Sequence, residues 1–164
     1  MADQTNDIET ENPGEQSSTG LVDQVVAFYL GGQRYAIPIG AVQEIQQIVA
    51  FSDVPSGGMG VVGMVNMRGH VIPAIDLRRL VGLPPEEYSL ETPMIICRMR
   101  GQLAALIVDQ VEDVVDLPEG SLQAAPPMHA LSSKMIGVVR MPDGLIYLLD
   151  VEQLLGGLVA GGGW

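Results

Sequence analysis

Cysteine is almost missing from this 164-residue chain. Cys97 stands alone, so no internal disulfide can form. Two histidines and one cysteine are too few for a usual tetrahedral zinc site unless carboxylates complete it. Bases are scarce as well: 8 Lys and Arg face 20 Asp and Glu, and a net charge of −12 repels nucleic acid and anionic membrane surfaces. Aromatic residues make up 4% of the chain, which leaves little to stack against sugar rings. No apolar run approaches the roughly 18 residues needed to cross a bilayer. Residues 1–20 carry no base and no apolar stretch of the kind a secretory signal needs. Together these absences predict a cytoplasmic protein with no cofactor, no metal, no nucleic-acid partner and no membrane insertion.

What is present is apolar and β-branched. Apolar residues reach 47% against 17% charged, enough to bury a core, and Val and Ile at high frequency favour strands. Residues 1–22 differ in texture: they are acidic, lack bases and have almost no large apolar side chains, as a solvated tail does. A domain is expected over 23–156, followed by a flexible Gly-rich tail at 157–164.

The domain carries an internal duplication. Gly63-Met64-Val65-Asn66-Met67 aligns with Gly137-Val138-Val139-Arg140-Met141 at an offset of 74, continuing through Asp76 over Asp150 to Gly82 over Gly156. An earlier stretch aligns at an offset of 69, placing Gly32-Gln33 over Gly101-Gln102 and Val42-Gln43-Glu44-Ile45 over Val111-Glu112-Asp113-Val114. The first repeat spans about 25–82 and the second about 94–156. Each reads as five strands and a short helix. The first-copy strands are expected at Val25 to Leu30, Arg34 to Ile39, Val42 to Val49, Val61 to Met67 and Val71 to Asp76. Those of the second are expected at Met94 to Met99, Leu103 to Asp109, Val111 to Leu117, Ile136 to Met141 and Leu145 to Asp150. Helices at Leu77 to Val81 and Val151 to Leu155 should end at Gly82 and Gly156. Short antiparallel strands leave open edges unless the sheet closes, so the fold class is all-β with two five-stranded SH3-like barrels side by side. Whether the copies exchange their first hairpins is open at this level.

Motifs for catalysis are thin. Gly58-Met59-Gly60-Val61-Val62-Gly63 has the spacing of a dinucleotide loop, but no strand precedes it and too little chain follows for the required helix. Nucleotide binding at Gly58 to Gly63 is therefore a minor alternative. Cys97 sits in an apolar strand as a small hydrophobe would, and His70 and His129 have no nucleophile beside them. The nine methionines suit core filling or an adaptable surface. With no nucleophile elbow, phosphate loop or triad, function is expected in surfaces and not in catalysis.

Two surface features draw attention. Arg68 occupies the tip of the tight turn Asn66-Met67-Arg68-Gly69, where its planar guanidinium suits a partner's carboxylate or a local pair with Glu44 or Asp76. Val42 and Glu44 alternate on the third strand, so an apolar and an acidic residue are expected side by side on an outward face.

The run Asn66-Met67-Arg68-Gly69-His70-Val71-Ile72-Pro73-Ala74-Ile75-Asp76-Leu77-Arg78 resembles the signature of CheW-type chemotaxis coupling proteins, with Met67 in place of the usual Leu. Similarity at Val42-Gln43-Glu44-Ile45 and Val108 to Val114 extends the resemblance over about Val25 to Leu155. It implies a non-enzymatic adaptor of two barrels, joining the histidine kinase CheA to the cytoplasmic tips of chemoreceptors. The resemblance also implies that a groove between the barrels receives the receptor hairpin, with Val42, Glu44 and Arg68 as receptor-binding residues. It further implies that exposed barrel ends near Gly63 and Gly69 bind the kinase's regulatory domain. A CheW-like scaffold of a pilus-motility or other chemosensory-like pathway is the nearest alternative.

Overall fold

A computed structural model describes residues 23–48, 52–53 and 60–160. The acidic segment 1–22, Val49, most of the Gly-rich loop including Gly58, and residues 161–164 lie outside the described residues. Twelve strands are described: β1 (Gln24–Leu30), β2 (Gln33–Pro38), β3 (Val42–Gln47), β4 (Ser52–Asp53), β5 (Val61–Met67), β6 (His70–Asp76), β7 (Pro93–Met99), β8 (Gln102–Ile107), β9 (Gln110–Asp116), β10 (Leu122–Gln123), β11 (Met135–Met141) and β12 (Gly144–Leu149). Two helices follow the repeats, α1 (Leu77–Leu80) and α2 (Val151–Ala160).

The copies do exchange their first hairpins. One sheet runs β10-β11-β12-β2-β1-β9, so the β1–β2 hairpin of the first copy completes the sheet of the second. The other runs β3-β7-β8-β6-β5-β4, taking its β7–β8 hairpin from the second copy. Each sheet therefore has six strands, the sixth being the two-residue β4 or β10. Each borrowed hairpin joins antiparallel on one side, β1 to β9 and β7 to β3, and parallel on the other, which corrects the expectation of purely antiparallel barrels. Ala74 pairs with Ala105 across β6 and β8, and Leu148 pairs with Ala36 across β12 and β2. These two pairs are related by the same offsets of 74 and 69 that the sequence shows, so the duplication is structural down to single registers.

Exchange explains why the hairpin strands read as continuous apolar runs. Alternate residues of a strand face opposite sides, and a strand with one wet face would alternate apolar with polar. In β7, Met94 and Ile96 fill the interior of one barrel, whereas Ile95, Cys97 and Met99 join a separate, larger core. In β1, Val25 and Ala27 fill the other barrel, whereas Phe28 and Leu30 turn to that same larger core. The largest hydrophobic cluster thus lies between the sheets, built from both hairpins and closed by Leu131, Val151, Leu154 and Leu155. That anchoring carries α2 through Gly156 to Ala160, past the expected stop at Leu155. Gly82, by contrast, adopts the expected left-handed conformation after α1, with φ of +80°.

Asp76-Leu77-Arg78 works as a structural staple. The Asp76 carboxylate caps α1 by accepting from the Arg78 backbone N–H at 2.9 Å, and its other oxygen accepts from Tyr88 Oη at 2.6 Å. Arg78 is buried and donates to the Pro84 carbonyl at 2.9 Å and to Asp109 Oδ2 at 2.5 Å. The same Asp109 oxygen accepts from the Gly31 N–H at 2.7 Å, tying α1 to the tip of the β1–β2 hairpin.

Candidate functional site

The site is built on β3 and the turn between β5 and β6. Met67 and His70 close a two-residue hairpin loop in which Arg68 has φ of +52° and Gly69 +86°. Both central residues are left-handed, which matches the twist of the strands it joins. Asn66 Oδ1 accepts from the Gly69 N–H at 3.1 Å and holds the turn. Arg68 is thereby presented at the tip, its side chain 69% exposed.

On β3 an extra residue is inserted between Val42 and Glu44, opposite the step from Cys97 to Ile96. Such a bulge bends the strand and re-aims its side chains. Its counterpart lies on β9, where the three steps from Val111 to Val114 oppose the two from Phe28 to Val26 on β1. Past the bulge Glu44 meets Arg68: Nη2 donates to Oε1 at 3.0 Å, and Nη1 donates to Oε2 in a second, closer contact. Arg68 thus engages the carboxylate with a fork of two N–H groups, and these hydrogen bonds hold the Glu44 carboxyl below the usual carboxylate range. Beside it, Gln46 Nε2 donates to Met67 Sδ at 3.0 Å. The two contacts bring the end strand β3 against the β5–β6 turn and close this barrel.

The local pair named among the sequence alternatives is therefore formed, with Glu44 and not Asp76 as its acid. The second copy lacks it. Positions equivalent to Glu44 and Arg68 carry Asp113 and Pro142, and that barrel is bridged by Arg34, which donates to Glu112 at 3.0 Å and to Asp143 at 2.9 Å. Symmetry is broken at this turn.

Two grooves flank β3. One, of about 500 Å³, lies within a single sheet and is lined by Glu44, Arg68, Val71, Arg98 and Leu103 among others. The other, of about 650 Å³, runs between the two sheets, with Ile45 and Gln47 of β3 on one side and Gln110 and Val111 of β9 on the other. Glu44 faces the first groove and Ile45 the second, so β3 is their common wall. Ile45 and Val71 are exposed, at 43% and 63%.

The remaining expected residues are placed differently. Val42 is partly buried and packs against the central core, so it does not form a free outward strip with Glu44. Gly69 is exposed next to Arg68, and a Cβ there would meet nothing within 4 Å. Gly63 is buried within β5, opposite Asp53 of β4 and Ala74 of β6. Six residues of strand separate it from Gly69, about 20 Å.

Arg98, which sequence reasoning passed over, lines the first groove and donates to Gln43. The offset of 69 was the available signal: it sets Arg98 over Tyr29, which likewise donates to Glu112, the counterpart of Gln43.

The other motifs resolve as structure. Gly60 leads into β5 and not into a helix, and a Cβ on it would come within 2.9 Å of the Leu80 side chain. Cys97 is fully buried, and desolvation pushes its thiol up to about 12. Among the described residues no group of three or more His, Cys, Asp or Glu could hold a metal, and no helix is long and apolar enough to cross a membrane.

Comparison with known proteins agrees with this architecture. Residues 24–158 match the family model described as the CheW-like domain. The chain is 27% identical over 161 residues to the chemotaxis protein CheW of Helicobacter pylori, covering 94% of this chain and 98% of that one. It is 29% identical over 135 residues to CheW of Bacillus subtilis, covering 81% and 86%. The crystal structure of the scaffolding protein CheW from Thermoanaerobacter tengcongensis superposes with a TM-score of 0.71 at 29% identity, over 79% of this chain and 89% of that one.

Proposed function

The chain belongs to the CheW-like family, and from that premise we propose that it is a non-enzymatic cytoplasmic adaptor coupling chemoreceptor tips to a CheA-type histidine kinase. The observation that carries the receptor side is the position of β3 as the shared wall of two grooves, with Glu44 and Arg68 at its rim. A receptor tip is a helical hairpin, and a helix with its side chains is about 10 Å across. Exposed Ile45 and Val71 offer such a hairpin apolar contact, and Arg68 offers a fork already aligned for a carboxylate. An acid on the receptor can share or replace Glu44 at that fork. Glu44 in turn keeps the guanidinium oriented while the site is empty.

The kinase side is assigned to the barrel ends bearing Gly69 and Gly63. At Gly69 the absent side chain permits close backbone approach. Gly63 contributes through the β4–β5 edge that covers it. Coupling between the two surfaces requires that receptor binding change kinase affinity and the reverse, since linkage is reciprocal.

Calorimetric titration against the isolated regulatory domain of the CheA kinase from the same organism tests this reading. One-to-one binding at micromolar strength or tighter is expected. A folded protein that shows no binding detaches the chain from the kinase and overturns the proposal.

A further inference from the structure

The groove beside Arg68 is an exception in charge. In a chain with 20 acids, Glu44 is the single carboxylate among the described residues that line it, and it is already engaged by Arg68. Arg98 has a neutral partner, Gln43, and no ion pair among the described residues. Arg100, at the adjoining turn, is paired with Glu152. Val71 and Leu103 add apolar surface. A short acidic segment with one aliphatic side chain between its carboxylates would fit this groove.

Such a segment exists in the chain itself. Asp7-Ile8-Glu9 lies in residues 1–22, a stretch with acids and no base. Its point of attachment is close. Val25 pairs with Pro38, and the chain then passes through the turn Ile39–Ala41 to Gln43 at the groove. One strand spacing of about 5 Å and five residues of chain set an upper limit of about 22 Å for that span. Sixteen positions separate Ile8 from Gln24, and a random coil of sixteen residues would have an end-to-end distance of about 22 Å. A linker matched to its span gives an effective concentration in the millimolar range, enough for a weak local contact to be populated.

We propose that Asp7-Ile8-Glu9 docks intramolecularly in this groove, Ile8 against Val71 and Leu103 and the two carboxylates on Arg98 and Arg68. The docked segment occupies the rim at Glu44 and Arg68, so a receptor has to displace it. That consequence rests on the adaptor reading, whereas the docking itself does not.

The test uses the full chain. A nitroxide is attached at Thr5→Cys, with buried Cys97 protected from the label, and paramagnetic attenuation of backbone amide signals is read by NMR. Strong attenuation at Gly69, Val71, Arg98 and Gly101, with little at Lys134 and Arg140, is expected. It should disappear in Asp7→Asn/Glu9→Gln and fade at about 0.5 M salt, where screening acts within a few ångströms. Even attenuation over the surface, attenuation centred on another face, or persistence in the neutralised variant overturns the proposal. So does attenuation of unlabelled isotope-enriched protein mixed with labelled protein, which would mean contact between copies. In a separate titration, Asp7→Asn/Glu9→Gln should bind a receptor hairpin severalfold tighter than the parent does. If neither form binds receptor, the adaptor reading fails while the attenuation result stands by itself.

Discussion

Arg68 and Glu44, 24 positions apart in the chain, meet with both terminal nitrogens of the guanidinium on both oxygens of the carboxylate. Arg68 sits at a turn tip and its side chain is 69% exposed, so reversing its charge leaves the barrels folded. Arg68→Glu is expected to keep a cooperative thermal transition close to that of the parent while weakening receptor binding by about tenfold or more. Glu44→Lys should do the same to the receptor and spare the kinase domain. Equal loss of both partners in the Glu44 variant, measured by titration, would place the two interfaces on one face and contradict the assignment.

Asp109 is the hinge of the charge network that holds α1 to the first hairpin, accepting from both Arg78 and Gly31. Replacing it with alanine leaves the buried Arg78 guanidinium without that partner. Breaking a buried pair is expensive, and the remaining Glu86 carboxylate, 3.9 Å from Arg78, together with the 28% exposure of the Asp109 side chain, reduces the cost to roughly 2–4 kcal/mol. Urea denaturation of Asp109→Ala should read that loss, and a change under 1 kcal/mol would show that the network is solvated.

Gly137 faces a closer constraint than any turn glycine. A Cβ there would collide with the Gln123 carbonyl oxygen and come within 2.9 Å of Leu122. Gly137→Ala should therefore push β10 away from β11 and lower the melting temperature, with hydrogen exchange rising at Val138 and Val139. Unchanged exchange there would mean that the β10–β11 contact adapts without opening.

Acid should weaken the anchorage of the segment before β11. The Leu131 N–H donates to His129 Nδ1 at 2.9 Å, and His129 Nε2 lies 2.8 Å from Tyr35 Oη. An Nδ1 that accepts carries no proton, so the folded state holds the neutral ring, and burial moves its pKa below the ordinary 6.5. Unfolded chains then bind the extra proton first. The stabilisation is complete above pH 6.5, and it diminishes as pH falls from there through the lowered folded value. Denaturation of the parent and of His129→Gln across pH 5–8 should show a stability difference that shrinks toward the acid end. A constant difference would exclude this titration.

Much of the fold is legible in the sequence because a duplication leaves two independent readings of each element. The offsets of 69 and 74 place nearly every long strand within two residues, and Asp76 and Asp150 both cap the helices that follow them. Hairpin exchange escapes such reading, since Phe28 and Leu30 would be equally apolar against their own barrel or its sister. Pairings across the copies, such as Ala36 with Leu148 and Val25 with Val115, decide it. The strand-forming two-residue segments, Ser52–Asp53 and Leu122–Gln123, are too short to leave a periodic signal, and one of them buries Gly63. At the site, the Arg68 turn is announced by Arg-Gly between apolar strands. The bulge beyond Val42 is not, because it arises from pairing with β7 and breaks the alternation that would set Val42 beside Glu44.

Hairpin exchange also sets a schedule for the growing chain. β1 and β2 are synthesised first, yet their sheet neighbours are β9 and β12, the latter near the end of the domain. Neither repeat can complete its sheet from its own strands, so no early half-protein has a finished core to fold around. Long-range pairings of this kind close large loops before they are rewarded, which slows folding. The first hairpin must wait with its apolar faces uncovered, and shielding it until Leu148 emerges is a task for the cell and not for the sequence.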